Sequence, residues 1–261
     1  MTPILLIGAG RMGSAMIEGW MSVGAFPPEQ IMVRDPVPPL NLNKGCRINP
    51  PDEDLRAAKT VVVAVKPQIW ATVAQSLVGF LSEDAVIVSI AAGISIDALA
   101  LVFGSRPIAR VMPTTAVGAA QGTASLYSAS DVALQTAHAL FDPIATTVEL
   151  LAEHDMHAAT AVSGSAPAYL YAFVEALEAA GIQAGLSPDQ ASRLARSTIA
   201  GSARLLEGPS NDPGNLRRAV TSPGGTTEAA LGVLMADQGF PALLEAAVGA
   251  CIKRSIELGK L

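Results

Sequence analysis

The stretch "ILLIGAGRMGSAM", Ile4 to Met16, decides the fold. Gly8, Gly10 and Gly13 stand between an apolar run that reads as a strand and a helical spacing of Met12, Met16, Ile17, Trp20 and Met21. Each glycine has its own task. Gly8 allows a tight turn, Gly10 lets backbone approach a pyrophosphate, and Gly13 lets the helix pack closely on the strand. The open N–H groups and dipole at a helix start favour phosphate. A lone GxGxxG is weak evidence. With a strand before it and a helix after it, the pattern predicts a dinucleotide turn, in which Arg11 and Met12 join the three glycines as cofactor contacts.

Outward from this turn, short apolar runs rich in β-branched residues alternate with helical patterns: Ile4–Ile7, Ile31–Val33, Val61–Val65 and Val86–Ile90, with Ile108–Met112 and Thr147–Leu151 as further candidates. Such an alternation predicts a mostly parallel sheet covered on both faces. In such sheets the ligand lies beyond the carboxyl ends of the strands. The second strand leads into "VRDP", where Asp35 is placed to hydrogen-bond an adenosine ribose, as suits NAD. Arg34 beside it could meet a 2′-phosphate, as suits NADP. An ordinary strand-to-loop ion pair is the alternative. At the end of "VVVAVKPQ", Lys66 and Pro67 are candidates to touch the cofactor, against the plainer reading of a solvated lysine.

After about residue 155 no further strand is expected. Ala166–Ala184 reads as a helix apolar nearly all round. Ser187, Pro188 and Gln190 form the N-cap, first turn and capping box of another. Weaker helices are expected at 214–220, 226–238 and 241–258. The expected organisation is an α/β Rossmann-like domain with a mostly parallel sheet over 1–155, then an all-α substrate-binding and dimerisation domain over 156–261. A helix apolar on every side needs burial on every side, so a second subunit is expected to cover part of this region. Tyr169 and Tyr171 read as core.

Half of the 261 residues are apolar and 15% are charged, with a net charge of −6. That balance argues against nucleic acid, because phosphate binding needs a basic face. Cys46 and Cys251 have no metal-type spacing, so no metal is expected, and two free thiols suit the reducing cytoplasm. The opening apolar run is too short for a signal or spanning helix, so no membrane partner is expected.

The helical half is poor in acid–base groups. No lysine stands between Lys66 and Lys253. His154 and His157 read as a loop or helix start, and His138 as structural. Alcohol-to-ketone chemistry normally needs a strong acid or base at the oxygen. An imine carries its own proton: its iminium form accepts hydride and the product is an amine. Orientation, a carboxylate anchor and one hydroxyl near nitrogen then suffice.

"IGAGRMGSAM", "AVKPQ", "SIAAGI", "RVMPTT", "SGSAPAYLYAFVEAL" and "AVTSPGGTTEAAL" occur in an order that resembles the pyrroline-5-carboxylate reductase family over essentially the whole chain. The last two are the most specific. The resemblance implies reduction of 1-pyrroline-5-carboxylate to L-proline with NADPH or NADH, the last step of proline biosynthesis. It also implies homodimers whose helical domains interleave, able to assemble as decamers of five dimers. Carried over by motif, Gly8–Gly13 would hold the pyrophosphate and Ala64–Pro67 would line the cofactor. Ser222, Gly224, Gly225 and Thr226 would supply donors for the substrate carboxylate, and Thr227 would stand near the ring nitrogen as the catalytic residue. Gly224 and Gly225 would leave N–H groups accessible at a helix start.

Four positions depart from the family pattern: Thr114 replaces an asparagine, Ala116 a proline, Ala166 a glycine, and Ser210 an acidic residue. They leave open a reductase of a related cyclic imino acid. A 3-hydroxyacid dehydrogenase-like enzyme is the rival with a similar N-terminal turn, though its interdomain-helix lysine is missing from Ala166–Ala184. A nucleotide-sensing protein is the non-enzyme alternative, and the complete SPGGTT turn argues against it.

Overall fold

A computed structural model describes residues 1–39, 45–208 and 212–259. Ser210 lies outside the described residues. Among these, eight strands form one sheet in the order β3-β2-β1-β4-β5-β6-β7-β8. The strands are β1 (Ile4–Ile7), β2 (Ile31–Arg34), β3 (Arg47–Ile48), β4 (Thr60–Val63), β5 (Val86–Ser89), β6 (Ile108–Pro113), β7 (Gly122–Tyr127) and β8 (Ala145–Glu149). Every neighbouring pair is parallel except β6 with β7. The chain runs outward from β1 to β3 and then returns to the other side of β1 with β4. The order reverses there, so the carboxyl ends of β1 and β4 bound the crevice in which open α/β sheets bind ligands.

Successive residues of each strand alternate between two cores, as a doubly covered sheet requires. Ile4, Leu6, Val33 and Val62 face α1 (Arg11–Ser22) and α4 (Asp131–Phe141). Leu5, Ile7, Met32 and Val61 face α2 (Trp70–Leu77) and α3 (Ile96–Phe103). Trp20, fully buried on α1, donates its indole N–H to Leu140 O at 2.7 Å and ties the first helix to the fourth.

The sheet is larger than the apolar runs suggest. β7, "GTASLY", was not expected: it is too small and polar for an apolar run, although Ala124 and Leu126 join the core that faces α1 and α4. β3 has two residues. The last strand lies at Ala145–Glu149, slightly earlier than the expected Thr147–Leu151.

The remaining helices are α5 (Asp155–Ala159), α6 (Ala166–Gln183), α7 (Pro188–Leu206), α8 (Pro213–Ala219), α9 (Thr226–Leu234) and α10 (Phe240–Leu258). A single π turn, Thr160–Gly164, joins α5 towards α6. The capping box of α7 is complete: Ser187 Oγ accepts from Gln190 N–H, and Gln190 Oε1 accepts from Ser187 N–H. No helix among the described residues is long and apolar enough to cross a membrane.

Contacts divide the chain into two compact units: Met1–Ser165 with the segment from Ala250 onward, and Ala166–Gly249. The first holds the sheet and both cores. The second has no comparable interior. On α6 no residue is buried, and on α7 only Ala191 and Ala195 are. Tyr171, expected in the core, is 63% exposed, and Leu243 is 62% exposed. Two apolar clefts of about 560 and 400 Å3 run along α6, lined by residues such as Leu170, Val174, Ile199 and Leu244. The polar tie between α6 and α7 is Glu178, which accepts from Arg196 Nε at 2.8 Å and Ser192 Oγ at 3.2 Å.

Candidate active site

The glycine turn assembles at the carboxyl ends of β1, β2 and β4. Gly8 has φ +98, a conformation that side chains resist, and its N–H donates to Arg34 O at 2.8 Å. A Cβ on Gly8 would lie 2.8 Å from Ala64 O and 2.9 Å from Val65 Cγ1. A Cβ on Gly13 would collide with Gly8 O. Gly10 has nothing within 4 Å of its Cβ position. The sterics thus divide the glycines as their spacing implies: two are enforced by neighbours and one faces open space. The N–H groups of Arg11 and Met12 have no partner among the described residues, and Gly10 caps α1 without a side chain. Free N–H groups, an open glycine and the dipole of a twelve-residue helix fit a pyrophosphate. Ser14 Oγ donates to Ala9 O at 2.7 Å and braces the turn.

Asp35 reaches into this turn: Ala9 N–H donates to its Oδ2 at 2.6 Å. Arg34 turns elsewhere and pairs with Asp52, so the two neighbours have separate partners rather than each other. Lys66 is exposed beyond β4, and Pro67 is half-buried beside it. Gly8, Asp35, Ala64 and Val65 are therefore brought together, while the Lys66 side chain makes no hydrogen bond or ion pair among the described residues.

A buried polar group behind the sheet was not anticipated. Arg110, 4% exposed in the middle of β6, pairs with Glu153 at 2.9 Å, and the same carboxylate oxygen accepts from Ile96 N–H at 2.7 Å at the start of α3. Next to it, His157 Nδ1 meets Ser255 Oγ of α10 at 2.8 Å. Burial holds His157 below the usual histidine pKa, with Arg110 and His154 adding repulsion against the pull of Glu153. The last turn of α10 also rests on the loop after β5: a Cβ on Gly93, at φ +82, would lie 2.7 Å from Ser255 O. The signal was present, since an arginine inside an apolar strand demands a carboxylate partner.

In the second unit, "TSPGGTT" forms the entry to α9. Gly224 has φ +70, and Gly225 is the N-cap residue. The donors expected to be open here are engaged: Gly224 N–H donates to Glu228 Oε2 at 2.7 Å, and Gly225 N–H to Ser222 O at 3.0 Å. Among the described residues, the N–H groups of Thr226 and Thr227, first in α9, have no partner and no side chain caps the helix. The hydroxyls of Ser222, Thr226 and Thr227 make no hydrogen bond among the described residues, whereas Thr221 Oγ1 donates to Arg217 O at 2.7 Å. The turn already holds one carboxylate, that of Glu228.

Three of the departing positions have local accounts. Thr114 is buried, and its Oγ1 accepts from Thr123 N–H at 3.0 Å. Ala116 is exposed, and its carbonyl accepts from Gln121 N–H at 3.1 Å. Ala166 begins α6 in ordinary helical geometry. Just before it, Ser165 Oγ lies 3.3 Å from Cys251 Sγ.

A doubly wound sheet with a glycine turn on its first helix defines a dinucleotide-dependent oxidoreductase, and residues 3–93 match the family described as "NADP oxidoreductase coenzyme F420-dependent". Residues 153–258 match "Pyrroline-5-carboxylate reductase dimerisation". A pyrroline-5-carboxylate reductase of Pseudomonas aeruginosa is 38% identical over 266 residues, covering 98% of this chain and 97% of that protein. The chain belongs to the pyrroline-5-carboxylate reductase family. Two solved relatives agree in fold. The Plasmodium falciparum pyrroline carboxylate reductase with NADP bound has TM-score 0.87 and 29% identity, over 98% of this chain and 97% of that one. The Coxiella burnetii pyrroline-5-carboxylate reductase has TM-score 0.88 and 29% identity, over 100% and 99%. The dimerisation match also accounts for a helical unit without its own interior: the protein oligomerises through it.

Proposed function

We propose that this chain reduces 1-pyrroline-5-carboxylate to L-proline, with Gly8–Gly13, Arg11, Met12, Asp35 and Ala64–Pro67 at the dinucleotide and the TSPGGTT turn at the substrate. Residues 156–261 form the substrate-binding and dimerisation part. The observation that carries the reading is the start of α9, where three hydroxyls and the N–H groups of Thr226 and Thr227 lack partners among the described residues. A nicotinamide dinucleotide held by Gly8–Gly13 and Ala64–Pro67 would supply the hydride for the ring carbon of the protonated imine. Ser222, Gly224 and Thr226 anchor the carboxylate, which takes the position of Glu228 on Gly224 N–H, while Gly225 N–H closes the turn on Ser222 O. Thr227 presents its hydroxyl to the ring nitrogen, and the nitrogen keeps its proton as the amine forms. No strong acid is required.

A cytoplasmic location, assembly of dimers into decamers, and independence of nucleic acid and membranes belong to the same proposal; the net charge of −6 and two free cysteines support it. Turnover with 1-pyrroline-5-carboxylate, followed with NADH and NADPH side by side, tests the reaction, and oxidation of neither nucleotide would overturn it. Thr227→Ala tests the role of the hydroxyl. Because Thr227 makes no capping bond, the melting temperature should hold while kcat falls about tenfold or more. A lower melting temperature with kcat intact would make Thr227 structural.

A further inference from the structure

We infer that the site is built for the unphosphorylated dinucleotide, NADH, and that Asp35 discriminates against the 2′-phosphate of NADPH. The inference rests on the reading of Gly8–Gly13 as the dinucleotide turn.

Asp35 is held from two sides. Its N–H donates to Asn49 Oδ1 at 3.1 Å, and its carbonyl accepts from Asn49 Nδ2 at 2.9 Å. Asn49 has φ +46, a left-handed conformation that asparagine adopts more readily than most residues, and its own N–H donates to Val33 O at 2.8 Å. With the main chain clamped, the carboxylate is aimed at the glycine turn. Oδ2 accepts from Ala9 N–H at 2.6 Å and Oδ1 from Val37 N–H at 2.8 Å.

Each oxygen has a further lone pair, so the group can accept from ribose hydroxyls without leaving its seat. It has no proton to offer a phosphate. In doubly wound sheets the acidic residue at this place meets the adenosine ribose. A 2′-phosphate there would set a second anion against a fixed one, in surroundings less polar than water.

Among the described residues, the arginines near Asp35 do not compensate. Arg34 follows Met32 on the opposite face of β2 and is engaged with Asp52, and its Nε is enclosed without a partner rather than offered outward. Arg47 of β3 is paired with Asp54. Arg11 is exposed at the first residue of α1, beside the pyrophosphate that both dinucleotides share. It therefore favours neither.

Equilibrium titration of the whole protein with NADH and with NADPH, read by nucleotide fluorescence, is the direct test. It is paired with thermal shifts in ADP and in 2′,5′-ADP. The expected result is a Kd for NADH at least about tenfold below that for NADPH, with stabilisation by ADP and little by 2′,5′-ADP. Asp35→Asn should narrow or invert that ratio by tightening NADPH. Asp52→Asn, which releases Arg34, should tighten NADPH and leave NADH as it was. Equal or tighter binding of NADPH by the unaltered protein overturns the inference. So does an Arg11→Ala variant that loses NADPH alone, since Arg11 would then hold the 2′-phosphate. If neither dinucleotide nor ADP binds, the turn assignment fails and the inference with it.

Discussion

The two glycine turns of this chain each hold a carboxylate on a backbone N–H, Asp35 on Ala9 and Glu228 on Gly224, yet they are supported in opposite ways. The first is walled in by three strand ends, and a Cβ on Gly8 or Gly13 would strike backbone. The second lies in a unit whose apolar side chains are largely exposed, and a Cβ on Gly224 meets nothing within 4 Å. A turn set into a sheet is complete within one chain. A turn carried by helices without an interior of their own has no such wall within the described residues.

Substitution can break this contrast. The largest effect is expected at Gly13: Gly13→Ala forces a methyl onto Gly8 O, costs about 1–3 kcal/mol, and abolishes nucleotide binding. Its counterpart Gly10→Ala, with open space at that position, should leave the melting temperature unchanged and weaken only nucleotide binding. Thermal melts with nucleotide titrations separate the two. If Gly10→Ala destabilises as much as Gly13→Ala, the division of roles fails.

A charge on the second unit comes next. Leu243→Glu should shift the protein to monomers by light scattering and lower activity, with the sheet unit still able to bind nucleotide. An intact oligomer would show that α10 does not face the partner at this point.

Glu228→Gln should lower the substrate KM several-fold, because a neutral amide oxygen competes less strongly than a carboxylate for Gly224 N–H. A raised KM would mean that Glu228 shapes the turn instead.

The smallest effect is expected at His138. The hydrogen bond to Asp142, with Glu149 adding to it, raises this histidine above its usual value against a smaller pull from burial. Asp142 is lowered: burial opposes, but hydrogen bonds from Thr147 and His138 prevail. A raised histidine stabilises the fold fully below its unfolded pKa, and that contribution fades as pH climbs through the folded value. Urea unfolding should therefore lose a little stability across neutral pH, by less than about 1 kcal/mol for so exposed a pair. His138→Ala should flatten that slope.

What could be read from the sequence followed from sterics and periodicity. Gly8 and Gly13 are required by what surrounds them, and the alternation of Ile4–Ile7 or Val61–Val63 between two cores follows from a doubly covered sheet. β7 was hidden because "GTASLY" sets its core residues Ala124 and Leu126 among small and polar ones. The separate partners of Arg34 and Asp35 were equally out of reach: Asp52 and Asn49 become their neighbours only once β2 is placed. At TSPGGTT the residue types were legible, but not that Glu228 occupies a donor, because a fourth residue along a helix can reach back as easily as it can point away. The exposure of Tyr171 shows a different limit: an apolar helix records that it will be covered, not by which chain.

The seat of α10 on Gly93 bears on how the protein is made. The segment Ala250–Gly259 packs with the sheet unit yet is translated after the whole helical unit. Folding during synthesis proceeds from the N-terminus at roughly 5–20 residues per second. The nucleotide unit therefore waits for α10 to emerge before the loop after β5 gains its support, and a nascent chain halted within the helices would carry the glycine turn without that brace.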